Sequence, residues 1–137
     1  MITVLDRMDA LRQQLDHLRY LRPQVTDPEI LRGNLSLSNN VLRSLQVICQ
    51  AVIDIAGDLS ARRRLRFEDY STAIRNLSVF PEFPASLIQD LGTLPELRDI
   101  IVHKSSDLDY ACIIEVLDHL GSVEQFMETV CRMETTA

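Results

Sequence analysis

Apolar side chains recur at Leu5, Met8, Leu11, Leu15, Leu18 and Leu21 in steps of three and four, the spacing that lays one stripe along a helix. The pattern predicts a first helix over residues 4 to 21. The run RPQVTDPE interrupts with two prolines, and Thr26 or Asp27 is placed to cap a second helix with Pro28 near its first turn. That helix carries Ile30, Leu31, Val41, Leu42, Leu45, Ile48, Cys49, Val52, Ile55, Ala56 and Leu59 and runs to about residue 60, with Gly33 and the SNN run as soft points. A short helix from about Glu68 to Val79 turns Tyr70, Ala73, Ile74 and Leu77 inward until FPEFP ends it. The next begins near Pro84 or Ala85 and continues to about His103. Gly92 and Pro95 are places for it to kink or restart, and Thr93 and Glu96 have the spacing of a capping box. Ser106, Asp107 or Asp109 then caps a last helix over residues 110 to 132, with Ile113, Val116, Leu117, Leu120, Val123, Phe126, Met127 and Val130 as its buried side.

Five helices joined by mostly short links predict an all-α fold, an up-and-down antiparallel bundle of about five helices in one domain spanning residues 1–137. Composition agrees: 46% hydrophobic residues with only 5% aromatics and four glycines suit packed aliphatic helices better than short strands and tight turns. The net charge of −6 argues against a general nucleic-acid coat and leaves room only for a local basic patch. No apolar stretch approaches the length of a membrane span, and the start MITVLDRMDALRQQLDHL is charged throughout, so a soluble, cytoplasmic protein is expected. Cys49, Cys112 and Cys131 are odd in number and lack CxxC spacing, which predicts buried free thiols.

The candidate chemistry lies in ELRDIIVHKSS, residues 96 to 106. Steps of four and three connect Leu87, Leu91, Leu94, Arg98 and Ile101, so Arg98 occupies a place where an apolar side chain is expected. Either its stem lies on the core with the guanidinium in solvent, or it points into a cleft and binds an anion. His103, five residues on, is rotated by about 140° from Arg98 on a regular helix. Bringing the two together requires the helix to end near HKSS, or a second copy to complete the site across a twofold axis. Asp99 and His103 are four apart and therefore neighbours, close enough for the carboxylate to hold the imidazole. Spacing alone is weak evidence, because Arg12 and His17 share it on the polar face of the first helix.

Arg62, Arg63, Arg64 and Arg66 form the densest positive charge in the chain, and the only lysine, Lys104, follows His103. These are the candidate contacts to a nucleic-acid backbone, set against the ordinary alternative of a solvated loop. His119 shares a face with Glu115 and stands seven residues from Cys112, but the set lacks further ligands at useful spacing and reads as a helix-surface histidine. No Gly-rich phosphate loop, Gly-x-Ser-x-Gly elbow or His-Glu-x-x-His pattern is present.

The long second helix, the Pro-rich break and LRDIIVHKSSDLDYACIIEVLDHLGSVEQF resemble the HepT-like toxins of the HEPN superfamily, small helical ribonucleases, from about residue 27 to 131. The superfamily motif of Arg, a polar residue, three or more variable residues and His falls on Arg98, Asp99 and His103. The resemblance implies a homodimer whose two motif helices meet in a composite site that cleaves RNA with no metal or other cofactor. It further implies a minimal nucleotidyltransferase antitoxin as partner. In that reading His103 is general base or acid at the ribose 2′-hydroxyl or leaving oxygen, Arg98 holds the scissile phosphate, and Asp99 orients His103. The family commonly continues as His, any residue and a tyrosine that the partner adenylylates; here that place holds Ser105. Ser105 and nearby Tyr110 are the candidate modified residues, and a partner that blocks the cleft by binding is the alternative. The rival to an enzyme is a non-catalytic helical module that dimerises or docks a partner. Burial of His103 away from any opening favours the module, whereas a cleft-facing Arg98 and His103 favour the nuclease.

Overall fold

The computed structural model describes residues 2–103 and 108–136, and in it the described chain forms helices and turns without a strand. Helix α1 (Val4–Leu21) starts where Thr3 and Asp6 exchange side-chain to backbone hydrogen bonds in a capping box. Its buried stripe is Val4, Met8, Leu11, Leu15, Leu18 and Leu21. Leu5, assigned to that stripe from spacing, instead stands 53% exposed, because Val4 takes the inward place at the first turn.

After a 3-10 turn at Arg22–Gln24, α2 (Pro28–Gly33) is capped by Asp27, whose side chain accepts from the Ile30 amide. The single long helix expected here is two. Asn34 adopts extended backbone angles and uses its side-chain oxygen to cap α3 (Leu35–Arg62), so the chain bends after Gly33 before the long helix begins. At 28 residues α3 is about 42 Å long and buries the most apolar side chains of any helix described.

Helix α1 packs against α3 in the opposite direction: Arg7 bonds Asp54 and Asp58 near one end, and Gln14 accepts from Ser44 farther along. Helices α4 (Tyr70–Arg75) and α6 (Leu94–His103) also pack on α3, while α5 (Ala85–Leu91) lies against α8 (Gly121–Thr136) and α2 against α7 (Tyr110–Leu117). The up-and-down helical bundle is thus as expected, with the expected fourth and fifth helices each divided. Gly92 and Thr93 separate α5 from α6, because Pro95 cannot donate into a continuous helical ladder but is well placed in a first turn. The capping box expected of Thr93 and Glu96 does not close; the Thr93 hydroxyl turns back to donate to the Asp90 carbonyl. Residues 118 to 120 separate α7 from α8 ahead of Gly121, a poor helix former, and Asp109 is the residue that caps α7.

Buried aromatics close one end of the core, where the Phe83 ring lies 5.8 Å from Phe126 and 6.3 Å from Phe80. Tyr70, expected to face inward, is 39% exposed; Ala73 and Ile74 alone bury the face of a helix only six residues long. The thiols divide as well. Cys49 is 1% exposed in the core, and burial pushes it up to about 12. Cys112 and Cys131 are exposed rather than buried, and the Asp109 carboxylate beside Cys112 raises that thiol above its ordinary value.

Alkylation of the native protein with iodoacetamide is therefore expected to label Cys112 and Cys131 and to leave Cys49 untouched until denaturant is added. Peptide mass spectrometry showing native Cys49 labelled as fast as Cys112 would contradict the closed packing around α3.

Candidate functional site

Helix α6 carries the motif. Leu94, Pro95 and Ile101 are its buried residues, and its packing on α3 leaves Arg98 at the border between the apolar seam and solvent, with 21% of its side chain exposed. A half-buried guanidinium needs partners to offset its lost hydration. It finds them on three elements. Its Nε donates to the Gln50 side-chain oxygen on α3 at 3.1 Å, and Nη1 donates to the Asp99 carboxylate at 3.1 Å. Its carbon centre lies 5.4 Å from the centroid of the Tyr70 ring on α4, within the range of a cation–π contact.

The Arg98 side chain neither snorkels freely nor packs as a bare stem; it is fixed in orientation. Two of its five N–H donors are used in hydrogen bonds among the described residues. Tyr70 and Asp99 also border a hollow of about 350 Å³, with Glu68, Asp69, Ser71 and Pro95 completing its wall.

His103 is the last residue of α6 and is exposed. Because α6 stays helical from Arg98 to His103, the two side chains leave the helix about 140° apart. One subunit therefore does not converge them. The Asp99 carboxylate, considered from spacing as a holder of His103, accepts from Arg98 instead and remains 57% exposed.

Lys104 and Ser105 lie outside the described residues, as do Ser106 and Asp107. Tyr110 opens α7 with its ring beneath the Arg32 guanidinium, 5.8 Å from carbon to centroid, and its hydroxyl oxygen accepts from buried Ser38 at 3.4 Å. The basic cluster is less available than its sequence suggests. Arg62 is paired with Glu134 and Arg63 lies 4.9 Å over the Phe80 ring, while Arg64, in left-handed backbone with φ 57°, and Arg66 are exposed. Arg62 stands about 18 Å along α3 from Gln50, at 1.5 Å per residue. His119 and Cys112 serve α7 locally: the His119 Nδ1 lies 2.7 Å from the Glu115 carbonyl, and the Cys112 thiol donates to the capping Asp109.

Spacing within α6 could not find Gln50 or the exposed face of Tyr70, because both reach Arg98 from distant segments. A faint signal does exist. Gln50, Asp54 and Asp58 form a polar ladder at intervals of four along α3.

The family described as Ribonuclease HepT-like matches residues 11–130. The mRNA nuclease HepT of Shewanella oneidensis is 28% identical over 111 residues, which span 76% of this chain and 80% of that protein. Among solved structures, a tri-AMPylated HEPN toxin of Shewanella oneidensis in complex with an MNT antitoxin superposes with a TM-score of 0.84 at 20% identity, covering 94% of this chain and 96% of that one. A toxin–antitoxin structure with AMP-PNP superposes at 0.83 and 21% identity, covering 94% and 97%. The two superpositions establish the shared fold, and the family match takes in α6 with Arg98, Asp99 and His103. The chain belongs to the HepT-like ribonuclease family.

Proposed function

We propose that this protein is an endoribonuclease toxin that acts on cellular RNA in the cytoplasm, at a metal-independent site formed by Arg98 and His103 from the two subunits of a homodimer. The observation that carries the reading is a held arginine and an exposed histidine on one helix, both presented to solvent but in different directions. A twofold axis beside α6 would set the histidine of one subunit against the arginine of the other, which a single helix cannot do.

In the reaction, His103 takes the proton of a ribose 2′-hydroxyl as that oxygen attacks the adjacent phosphorus. The bond to the 5′-oxygen breaks, and an imidazolium returns a proton to the leaving oxygen. Arg98 donates to the non-bridging phosphate oxygens, whose charge grows as phosphorus becomes five-coordinate, and its protein partners mean that little reorganisation accompanies that step. Asp99 keeps the guanidinium plane fixed and lies one helical turn from His103. Arg64 and Arg66 hold RNA backbone away from the scissile bond.

The HEPN toxin solved in complex with an MNT antitoxin supports a nucleotidyltransferase-type antitoxin as partner here. Control is by occlusion of the α6 end. Ser105 stands where the resemblance implies a modified tyrosine, and the Tyr110 hydroxyl is already engaged with Ser38.

Replacing His103 or Arg98 by alanine is expected to slow cleavage of single-stranded RNA by about 10²- to 10⁴-fold, while the Arg64→Gln, Arg66→Gln pair weakens RNA affinity and spares kcat. Parent-like cleavage by either alanine variant would remove the catalytic assignment. The antitoxin is expected to inhibit equally with and without ATP. An ATP-dependent gain of AMP on Ser105 or Tyr110, accompanied by loss of activity, would replace occlusion with covalent control.

A further inference from the structure

We infer that Gln50 is a positioning residue of this ribonuclease: its amide oxygen sets the orientation of the Arg98 guanidinium, and its amide nitrogen ties that orientation through Asp54 to Arg7 on α1. The inference rests on the reading of Arg98 as the group that holds the scissile phosphate. It goes further in naming what holds Arg98.

The chain of contacts is continuous. Arg98 Nε donates to Gln50 Oε1 at 3.1 Å, and Gln50 Nε2 donates to Asp54 Oδ1 at 2.8 Å. Arg7 Nη1 donates to Asp54 Oδ2 at 3.1 Å, while Arg7 Nε donates to Asp58 Oδ2 at 3.1 Å. Each partner removes a freedom of the next. A carboxylate only accepts and a guanidinium only donates, so the Gln50 amide has one orientation that satisfies both neighbours. Asp54 is held at both oxygens, and Arg7 bridges it to Asp58 one turn farther along α3, which keeps Asp54 from swinging away.

An unrestrained arginine spreads over many rotamers, and ordering it at the transition state costs free energy at the moment of reaction. The Gln50 bond removes much of that cost in the resting protein. Asp99 cannot do so alone, being adjacent in sequence and 57% exposed. The far end of the chain is also partly solvated, with 26% and 33% of the Arg7 and Asp54 side chains exposed, so its influence is weaker than that of Gln50.

The test measures kcat and KM for single-stranded RNA in the full-length protein. Gln50→Leu is expected to lower kcat by about 10- to 50-fold with KM changed less than about threefold, and Asp54→Ala and Arg7→Ala are expected to follow with successively smaller losses. In an Arg98→Lys background, where no Nε–H remains to be oriented, Gln50→Leu is expected to change the residual kcat by less than about twofold. Equal fold losses in the two backgrounds, or parent-like kcat in Gln50→Leu, would overturn the inference. If Gln50→Leu proves poorly folded by thermal melting, the Asp54→Ala variant read in the same two backgrounds decides by the same criterion. The outcomes separate from those of the functional reading itself. Full activity in Arg98→Lys and Arg98→Ala refutes the role of Arg98, whereas their impairment beside an unimpaired Gln50→Leu refutes only the positioning role.

Discussion

The packing of α6 across α3 is the constraint on which the site depends. It buries Leu94, Pro95 and Ile101 and, in doing so, pulls the Arg98 guanidinium out of bulk water. A cation in that position must be paired, and Gln50 and Asp99 supply acceptors while the Tyr70 ring covers it from α4. Burial of apolar surface and orientation of the Arg98 guanidinium are therefore one event. A shift in the helix seam would be felt first at Arg98, because its hydrogen bonds tolerate less displacement than the aliphatic contacts around them.

Much of this was legible in the pattern of the chain. The limits of α1 follow from its stripe, Asp27 and Asp109 cap the helices they precede, and Arg98 is conspicuous because it interrupts an apolar series. The breaks after Gly33, at Gly92 and before Gly121 were harder to place, since an apolar period can continue across a bend that backbone caps create. Periodicity turns Tyr70 inward, but a six-residue helix has too few turns for periodicity to fix a face. The exposed thiols of Cys112 and Cys131 escaped for a related reason, as residue type alone says little about which side of an amphipathic helix a cysteine occupies. Local reasoning offered for Gln50 only its place in a polar series with Asp54 and Asp58. Its meaning comes from a partner 48 positions away.

A buried His103 favours the rival reading of a helical module without chemistry, and His103 is instead exposed at the end of α6. Membership of the HepT-like ribonuclease family gives the chain its class, while the geometry of α6 supplies the argument for the proposed pairing. A helix that sends its arginine and histidine in different directions needs a second helix of the same kind if both groups are to reach one phosphate.

Subunit mixing tests that requirement most directly. The Arg98→Ala and His103→Ala proteins, each strongly impaired, are unfolded together, refolded at equal ratio, and assayed for RNA cleavage. A site shared between subunits predicts that the mixed dimers regain activity, because one of their two sites combines the intact arginine of one chain with the intact histidine of the other. A mixture as impaired as its parents, with mixed dimers verified by native mass spectrometry, would contradict the shared site.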